Sequence, residues 1–308
     1  MAPIFLVVVL GWFLKHYKCI DDNFTNTAEK LVFRLALPVL LFCEVTEADL
    51  STAFDGKFIL FCCLGIVAVF ILLCLIVPLF IRSNDRRGAF IQGAYRSNFA
   101  ILGIPLAVNM FGDDGAAQIA MMMPFAITFF NVLAVLVLSI FAPREKRLSP
   151  LALLKKIGSN IITNPLILSV IAALPFLFFP IELPLVMTKS LGYLSNLATP
   201  LSLICIGANF SFDELHGRLG LAVTAALLRT VFIPGTVVLI AVLMGFRGVE
   251  LGVILILFGA PTAVSSYIMA KNMKSDYVLA GQIMLLTTLF CVGTLFGGIL
   301  LLKFLALI

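Results

Sequence analysis

Residues 96–106, RSNFAILGIPL, place an arginine, a serine, an amide and a Gly-x-Pro breaker inside an apolar segment of membrane-spanning length. A second Gly-x-Pro, at 259–261, lies in another such segment, 156 positions after the first. Proline lacks an N–H and clashes with the preceding turn, so we expect both helices to break at these points. Hydrocarbon tolerates a broken backbone only where protein or a polar cavity satisfies the freed groups. The two breakers therefore predict a transporter whose substrate site lies between two interrupted helices.

The composition indicates an integral membrane protein. Hydrophobic residues make up 62% of the 308 residues, charged residues make up 12%, and the mean hydropathy is +1.15. Soluble domains are nearer half apolar and a quarter charged. The net charge of +5 does not indicate nucleic-acid binding, because the basic residues cluster in short loops between apolar segments. We therefore expect an all-α polytopic membrane protein whose partner is the lipid bilayer and not a nucleic acid.

Ten apolar segments are interpreted as membrane crossings. The longest polar interval, 142–156, divides them into two sets of five. We therefore expect a first five-helix repeat at 1–142, a cytoplasmic linker at 143–157 and a second five-helix repeat at 158–308. The ten segments lie at 2–14, 28–45, 58–80, 89–111, 116–142, 158–179, 183–209, 218–245, 249–271 and 277–307.

Four short matches relate the two halves in the same order. The matched pairs, with offsets of 162, 156, 156 and 164, are LALP at 35–38 with LATP at 197–200, Pro78 with Pro234, GIP at 103–105 with GAP at 259–261, and QI at 118–119 with QI at 282–283. Since each repeat holds an odd number of helices, the second copy must enter the membrane from the opposite side. The sequence thus predicts ten transmembrane helices as two inverted five-helix repeats, in which helices 4 and 9 are broken.

The basic residues predict the orientation of the chain, since cytoplasmic loops carry an excess of lysine and arginine. With the N-terminus outside the cytoplasm, thirteen basic residues fall in inward loops and four fall on the outward side. The outward set is Lys57, Lys189, Arg247 and Lys303. We therefore expect a multi-pass protein of the cell membrane with both termini on the extracytoplasmic side.

The two breaks also predict a chemistry. Proline suits the first turn of a helix, so we expect Pro105 and Pro261 to begin the second halves of crossings four and nine. Both helix N-termini would then point at the midplane, each with about half a positive charge and free N–H groups. This geometry attracts an anion, most simply a carboxylate. The predicted substrate-binding residues are Asn98, Gly103, Pro105, Gly259, Pro261, Thr262, Ser265 and Ser266, with Arg96 and Arg229 as further candidates.

Other roles are open for the polar residues of the apolar segments. Arg96 and Arg229 can extend to the interface or pair with another group, and Asn98 can bond a neighbouring helix. Acidic residues are absent from the segment centres, since Glu29 and Glu44 lie near segment ends. We therefore expect no relay through a buried carboxylate. The sequence holds no catalytic, metal-ligand or cofactor motif, whereas sodium or proton coupling stays open.

The motifs around both breakers resemble the auxin efflux carrier family, which includes the plant PIN-FORMED exporters and many bacterial organic-anion permeases. The most specific parts are YRSNF at 95–99 with GIPL at 103–106, and GAPTAVSSY at 259–267 with MAK at 269–271. The resemblance implies ten helices in two inverted repeats, crossing broken helices 4 and 9, and often a homodimer. In the plant branch an amide seven residues before the first crossover proline helps to hold the substrate carboxylate, and Asn98 has that spacing.

The resemblance to the bacterial branch implies a secondary carrier of small organic anions, which are mono- or dicarboxylates such as malate or malonate. In this interpretation the bundle that carries crossings four and nine shifts against crossings one, two, six and seven, which gives alternating access. The alternative is a sodium- or proton-coupled carrier of another solute on the related bile-acid-transporter-like fold. A membrane enzyme or a sensor has no supporting motif, so we expect no enzyme activity.

Overall fold

The computed structural model describes residues 2–46, 55–143, 155, 158–179, 181, 183–210 and 217–308. Within these ranges every regular element is a helix and no β-strand occurs, in agreement with the predicted all-α class. The linker predicted at 143–157 lies almost wholly outside the described residues, so it stays a prediction.

The first half of the chain is built from long helices with two local irregularities. Its elements are α1 (Ala2–His16), α2 (Asp22–Leu31), a π-helical segment (Val32–Ala36), α3 (Leu37–Thr46), α4 (Gly56–Phe80), α5 (Asn84–Tyr95) and α6 (Phe99–Ile140). Asp21 and Asp55 cap α2 and α4, because each carboxylate accepts N–H groups of the first turn. Gly112 has a φ of 63°, so α6 changes direction there.

The second half contains a similar series. Its elements are α7 (Pro165–Phe178), α8 (Leu185–Ser195), α9 (Ala198–Ala208), α10 (Leu219–Leu227), a second π-helical segment (Leu228–Phe232), α11 (Ile233–Leu243), α12 (Gly248–Gly259), α13 (Ser265–Asn272) and α14 (Tyr277–Phe304). The side chain of Asn164 caps α7, and Pro165 occupies the first helical position, where no N–H is needed.

Among the residues that the structure describes, five helical stretches are long and apolar enough to cross a membrane. They are Gly56–Phe80, Pro105–Ile140, Leu185–Ala208, Leu219–Leu243 and Tyr277–Phe304. Shorter apolar helices at Pro3–His16, Pro165–Phe176 and Gly248–Gly259 accompany them. Many leucines along α4, among them Leu75 and Leu79, are exposed, as expected of side chains that face lipid. These features agree with an all-helical membrane protein.

The two halves repeat one another in helix length, but at a more uniform spacing than the sequence matches indicated. α4 and Leu219–Leu243 both have 25 residues, and α5 and α12 both have 12. Their starts lie 163 and 164 positions apart. The matches at offsets of 162 and 164 fit this spacing, whereas the two matches at 156 do not. The Gly-x-Pro motifs therefore do not occupy equivalent positions, and Arg96 is instead the counterpart of Ala260.

The helices pack into two groups. In the first, which we name the scaffold group, α1 packs along α9 and α3 packs along α7 and α8, with α2 against α9. In the second, the crossover group, α5 and α10 pack on α14, and α12 packs on α6 and α11. This group also includes α4, which packs on α5 and α6, and α13, which packs on α14. This division agrees with the predicted separation of crossings one, two, six and seven from the rest.

Two glycines allow the closest approach within the scaffold group. A Cβ atom at Gly207 would overlap the carbonyl oxygen of Val8, and one at Gly11 would overlap that of Ile204. The backbones of α1 and α9 are therefore in direct contact, as is typical of membrane helices that pack through small residues.

We expect Gly207→Ala to lower the thermal unfolding midpoint of the purified protein by several degrees. Overpacking of this kind costs about 1–3 kcal/mol, because the added methyl group must push two backbones apart. Gly235→Ala in α11 is the matched control, since nothing lies within 4 Å of a Cβ there. Equal midpoints for the two variants would contradict the assigned α1–α9 contact.

Candidate binding site at the helix breaks

The two interrupted helices touch at their interruptions. α5 ends at Tyr95 and α6 begins at Phe99, while α12 ends at Gly259 and α13 begins at Ser265. The backbone N–H of Asn98 donates a hydrogen bond of 2.7 Å to the carbonyl oxygen of Pro261. Residues 163 positions apart in the chain thus join the two breaks directly.

The first break lies earlier than predicted. Arg96 leaves the helix with φ −74° and ψ 132°, and Ala260 leaves the second helix with φ −62° and ψ 151°. Pro105, which was expected to begin a half-helix, lies inside α6 and is exposed, so that prediction is wrong. Pro261 lies in the non-helical connection, four residues before α13 begins. A proline inside a helix removes only one hydrogen bond, so the motif alone does not locate the break.

Arg229 holds the C-terminal ends of both half-helices. Its guanidinium is fully buried and donates from Nη1 to the carbonyl of Tyr95 at 2.9 Å. From Nε and Nη2 it donates to the carbonyls of Ala260 and Leu257 at 2.8 and 3.0 Å. Helix C-termini carry unpaired carbonyls and partial negative charge, which the guanidinium satisfies. The geometry therefore makes Arg229 a positioning residue and not a lining residue of the pocket.

A pocket of about 700 Å³, a volume that includes its open mouth, lies where α6 and α13 begin. Asn98 and Phe99 border it from the first break, and Val264 and Ser265 border it from the second. The Asn98 side chain makes no capping bond to α6, so its amide is available to the pocket. The rest of the lining is mainly apolar, with Leu37, Leu40, Leu41, Ile127, Phe130 and Leu166 as the largest members.

Two buried polar atoms beside this pocket lack a partner within the described part of the chain. The Arg96 guanidinium donates from Nη2 to Asn131 Oδ1 at 2.6 Å and from Nη1 to the sulfur of Met269 at 2.7 Å, which leaves Nε unpaired. The hydroxyl of Ser97 is also buried and unpaired. Since buried polar groups are nearly always hydrogen-bonded, both atoms are donors that a bound acceptor could satisfy.

The structure brings three of the predicted site residues to this pocket, namely Arg96, Asn98 and Ser265. The others lie elsewhere. Thr262 donates its N–H to Thr287, and its hydroxyl lies 3.5 Å from that of Ser266.

The remaining predicted residues serve packing and the crossing itself. Gly103 packs against Ile119 and Phe99, Gly259 packs against Leu295, and Pro261 supplies the carbonyl that joins the breaks. None of these three residues lines the pocket, and neither does the exposed Pro105.

Four polar lining residues were not among the predicted site residues: Ser97, Asn131, Thr199 and Ser202. Glu44, expected only near a segment end, also lines the pocket. Asn131 had a sequence signal, since an amide within an apolar segment must find a partner. Within the described residues no group of three His, Cys, Asp or Glu side chains could hold a metal ion.

Comparison with known proteins identifies the kind of molecule that carries this site. The family model described as "Membrane transport protein" matches residues 1–297. The chain belongs to the membrane transport protein family. This is the auxin efflux carrier family that the motifs resembled, and the resemblance is confirmed. As a member, the protein is a membrane transporter and not an enzyme.

Named relatives of this membrane transport protein cover nearly its whole length. It is 26% identical to a putative malonate transporter of Rhizobium meliloti, over 98% of this chain and 95% of that one. It is 24% identical to an uncharacterized transporter of Methanocaldococcus jannaschii, over 97% of each chain. An uncharacterized transporter of Methanothermobacter thermautotrophicus is 23% identical over 94% of this chain and 93% of its own.

We expect Arg229→Met to lower the thermal unfolding midpoint strongly, because three buried carbonyls lose their donor. Each buried group left unpaired costs about 1–3 kcal/mol. Arg247→Met is the matched control, since the exposed Arg247 donates to two carbonyls at a helix end, those of Val242 and Phe246. If both variants unfold at the same temperature, Arg229 does not hold the two half-helices together.

Proposed function

We propose that this membrane transporter is a secondary carrier of small organic anions, of the mono- or dicarboxylate class that includes malate and malonate. The observation that carries the proposal is the pair of unpaired buried groups, Arg96 Nε and Ser97 Oγ, beside the N-terminus of α6. A carboxylate accepts hydrogen bonds from both kinds of group, and guanidinium–carboxylate pairs are among the strongest in proteins.

Helix ends add to this positive environment. The N-termini of α6 and α13 both border the pocket, and each contributes about half a positive charge. Asn98 offers an uncommitted amide at the first of these ends. One end of a small acid would bind here, and its remainder would lie against the apolar side chains of α3 and α6. The 26% identity to a putative malonate transporter favours a small acid of this kind.

We also propose the full topology predicted from the sequence, with ten helices in two inverted repeats and both termini on the extracytoplasmic side of the cell membrane. Equal helix lengths at a spacing of 163 to 164 residues support the duplication. Five helices per repeat require that the repeats be inverted. The excess of basic residues in alternate loops supports the orientation.

Transport would follow from relative movement of the two helix groups. The pocket is lined by both, with Leu37 to Glu44 of α3 on the scaffold side and Arg96 to Phe99 on the crossover side. A shift of one group against the other would expose the same site to alternate sides of the membrane.

We expect Asn98→Ala to raise the apparent Kd for malonate about tenfold or more, because a hydrogen bond to a charged group contributes about 1.5–3 kcal/mol. Malonate and malate would be assayed by thermal stabilisation of the purified protein and by flux into liposomes. Arg96→Met should have a larger effect on both measurements. Asn109→Ala is the matched control, since Asn109 is exposed, lies outside the pocket lining and donates from its side chain to the carbonyl of Pro105.

If Asn98→Ala and Arg96→Met bind and transport malonate and malate as well as the unchanged protein does, the pocket is not the substrate site. Each assay would be repeated with and without sodium and across pH. Stabilisation that requires sodium and no carboxylate would favour the alternative, a coupled carrier of another solute.

A further inference from the structure

A buried carboxylate lies outside the pocket, at a residue that the sequence places near the end of an apolar segment. Glu29 in α2 is 2% exposed. Its carboxylate lies 2.7 Å from Lys271 Nζ, and it accepts hydrogen bonds of 2.8 Å from the Tyr267 hydroxyl and 3.0 Å from the Asn209 amide. Asn209 also donates to the Tyr267 oxygen at 3.0 Å. We name these four residues the Glu29 network.

The Glu29 network joins the two helix groups. Glu29 and Asn209 belong to the scaffold group, at α2 and just after α9, whereas Tyr267 and Lys271 belong to α13 of the crossover group. A further bond runs in the same place, from the Asn272 amide to the backbone carbonyl of Glu29 at 3.4 Å. Sliding of one group past the other at this end would therefore break the ion pair between Glu29 and Lys271, whose side chains are 3% and 19% exposed.

The pocket extends away from the Glu29 network along α3. Along α3 it extends from Leu37 to Glu44, two residues before the helix ends at Thr46. Glu29 precedes Leu37 by eight positions and Glu44 by 15 positions in the same run of helix, or about 12 Å and about 22 Å at 1.5 Å per residue. The Glu29 network thus lies toward the Lys271 side of the protein, while the pocket extends toward the Glu44 side.

α13 connects the pocket to the network. Its first residue, Ser265, lines the pocket, and Met269 accepts a hydrogen bond from the pocket arginine, Arg96. Lys271, in its last turn, holds Glu29. A helix of eight residues is about 12 Å long and moves as one piece. Movement of its pocket end is therefore transmitted to the ion pair.

We propose that the Glu29 network is a latch that holds the pocket closed on the Lys271 side and opens once in each transport cycle. The proposal rests on the alternating access of the proposed function. With the ion pair intact, the state in which the scaffold and crossover groups meet at this end is stabilised. Neutralising both partners removes that preference without leaving a buried charge alone.

The test uses a full-length protein whose native cysteines are replaced by alanine and whose pocket carries Thr199→Cys as a reporter. A membrane-impermeant maleimide is added to one face or the other of oriented vesicles. In Glu29→Gln/Lys271→Met we expect labelling from the Lys271 face to rise about tenfold and labelling from the Glu44 face to fall, because mutations within a coupling element shift such equilibria by amounts of this order.

Two further variants keep the test decisive. Tyr267→Phe removes one hydroxyl from the network and should raise labelling from the Lys271 face in the same direction by a smaller factor, even if the double variant fails to fold. Lys15→Met/Asp22→Asn is the matched control, because that exposed ion pair joins α1 to α2 within the scaffold group. It should leave labelling unchanged.

Unchanged labelling from the Lys271 face in Tyr267→Phe and in the folded double variant would overturn the latch, as would an equal rise in the control. The labelling requires no substrate, so the latch and the anion proposal fail separately. If labelling shifts but neither malonate nor malate is transported, the latch is supported and the carried solute is a different one. Flux of these anions with no shift in labelling overturns the latch alone.

Discussion

An interrupted helix inside hydrocarbon must find hydrogen-bond partners within the protein, and the whole arrangement follows from this constraint. The two interruptions satisfy one another through the bond from the Asn98 N–H to the Pro261 carbonyl. Arg229 supplies three donors to the carbonyls that both half-helices leave unpaired. Each break is satisfied by contacts with the other, so the crossing is a single structural unit made of residues from both halves.

At the crossing, the negative and the positive helix ends have different neighbours. The negative C-terminal ends of α5 and α12 face Arg229, which satisfies them, whereas the positive N-terminal ends of α6 and α13 face the pocket. Arg96 adds its charge on the pocket side, where Nε has no partner among the described residues. Two positive helix ends and the Arg96 guanidinium thus border the pocket together with the carboxyl of Glu44, and α13 links this place to the ion pair of Glu29 and Lys271.

The sequence motifs located the correct segments but not the correct residues within them. Gly-x-Pro marks a weak point in a helix, yet α6 continues through Pro105 while the break occurs at 96–98, where no proline is present. Arg96 and Asn98 reached the pocket because they lie at the true break. Glu29 was missed because its burial depends on Lys271, which is 242 positions away and which no local pattern connects to it.

The sequence by itself determined that this is a helical membrane protein with two irregular segments, because hydropathy, segment length and breaker residues are local properties of the chain. Only the tertiary structure decided which backbone groups lose their helical hydrogen-bond partners. It also decided that Arg229 holds helix ends while Arg96 lines the pocket, and that Glu29 is buried. The physical reason is that a buried polar group is stable only beside its partner, and partners such as Pro261 for Asn98, Tyr95 for Arg229 and Lys271 for Glu29 come from the opposite half of the chain.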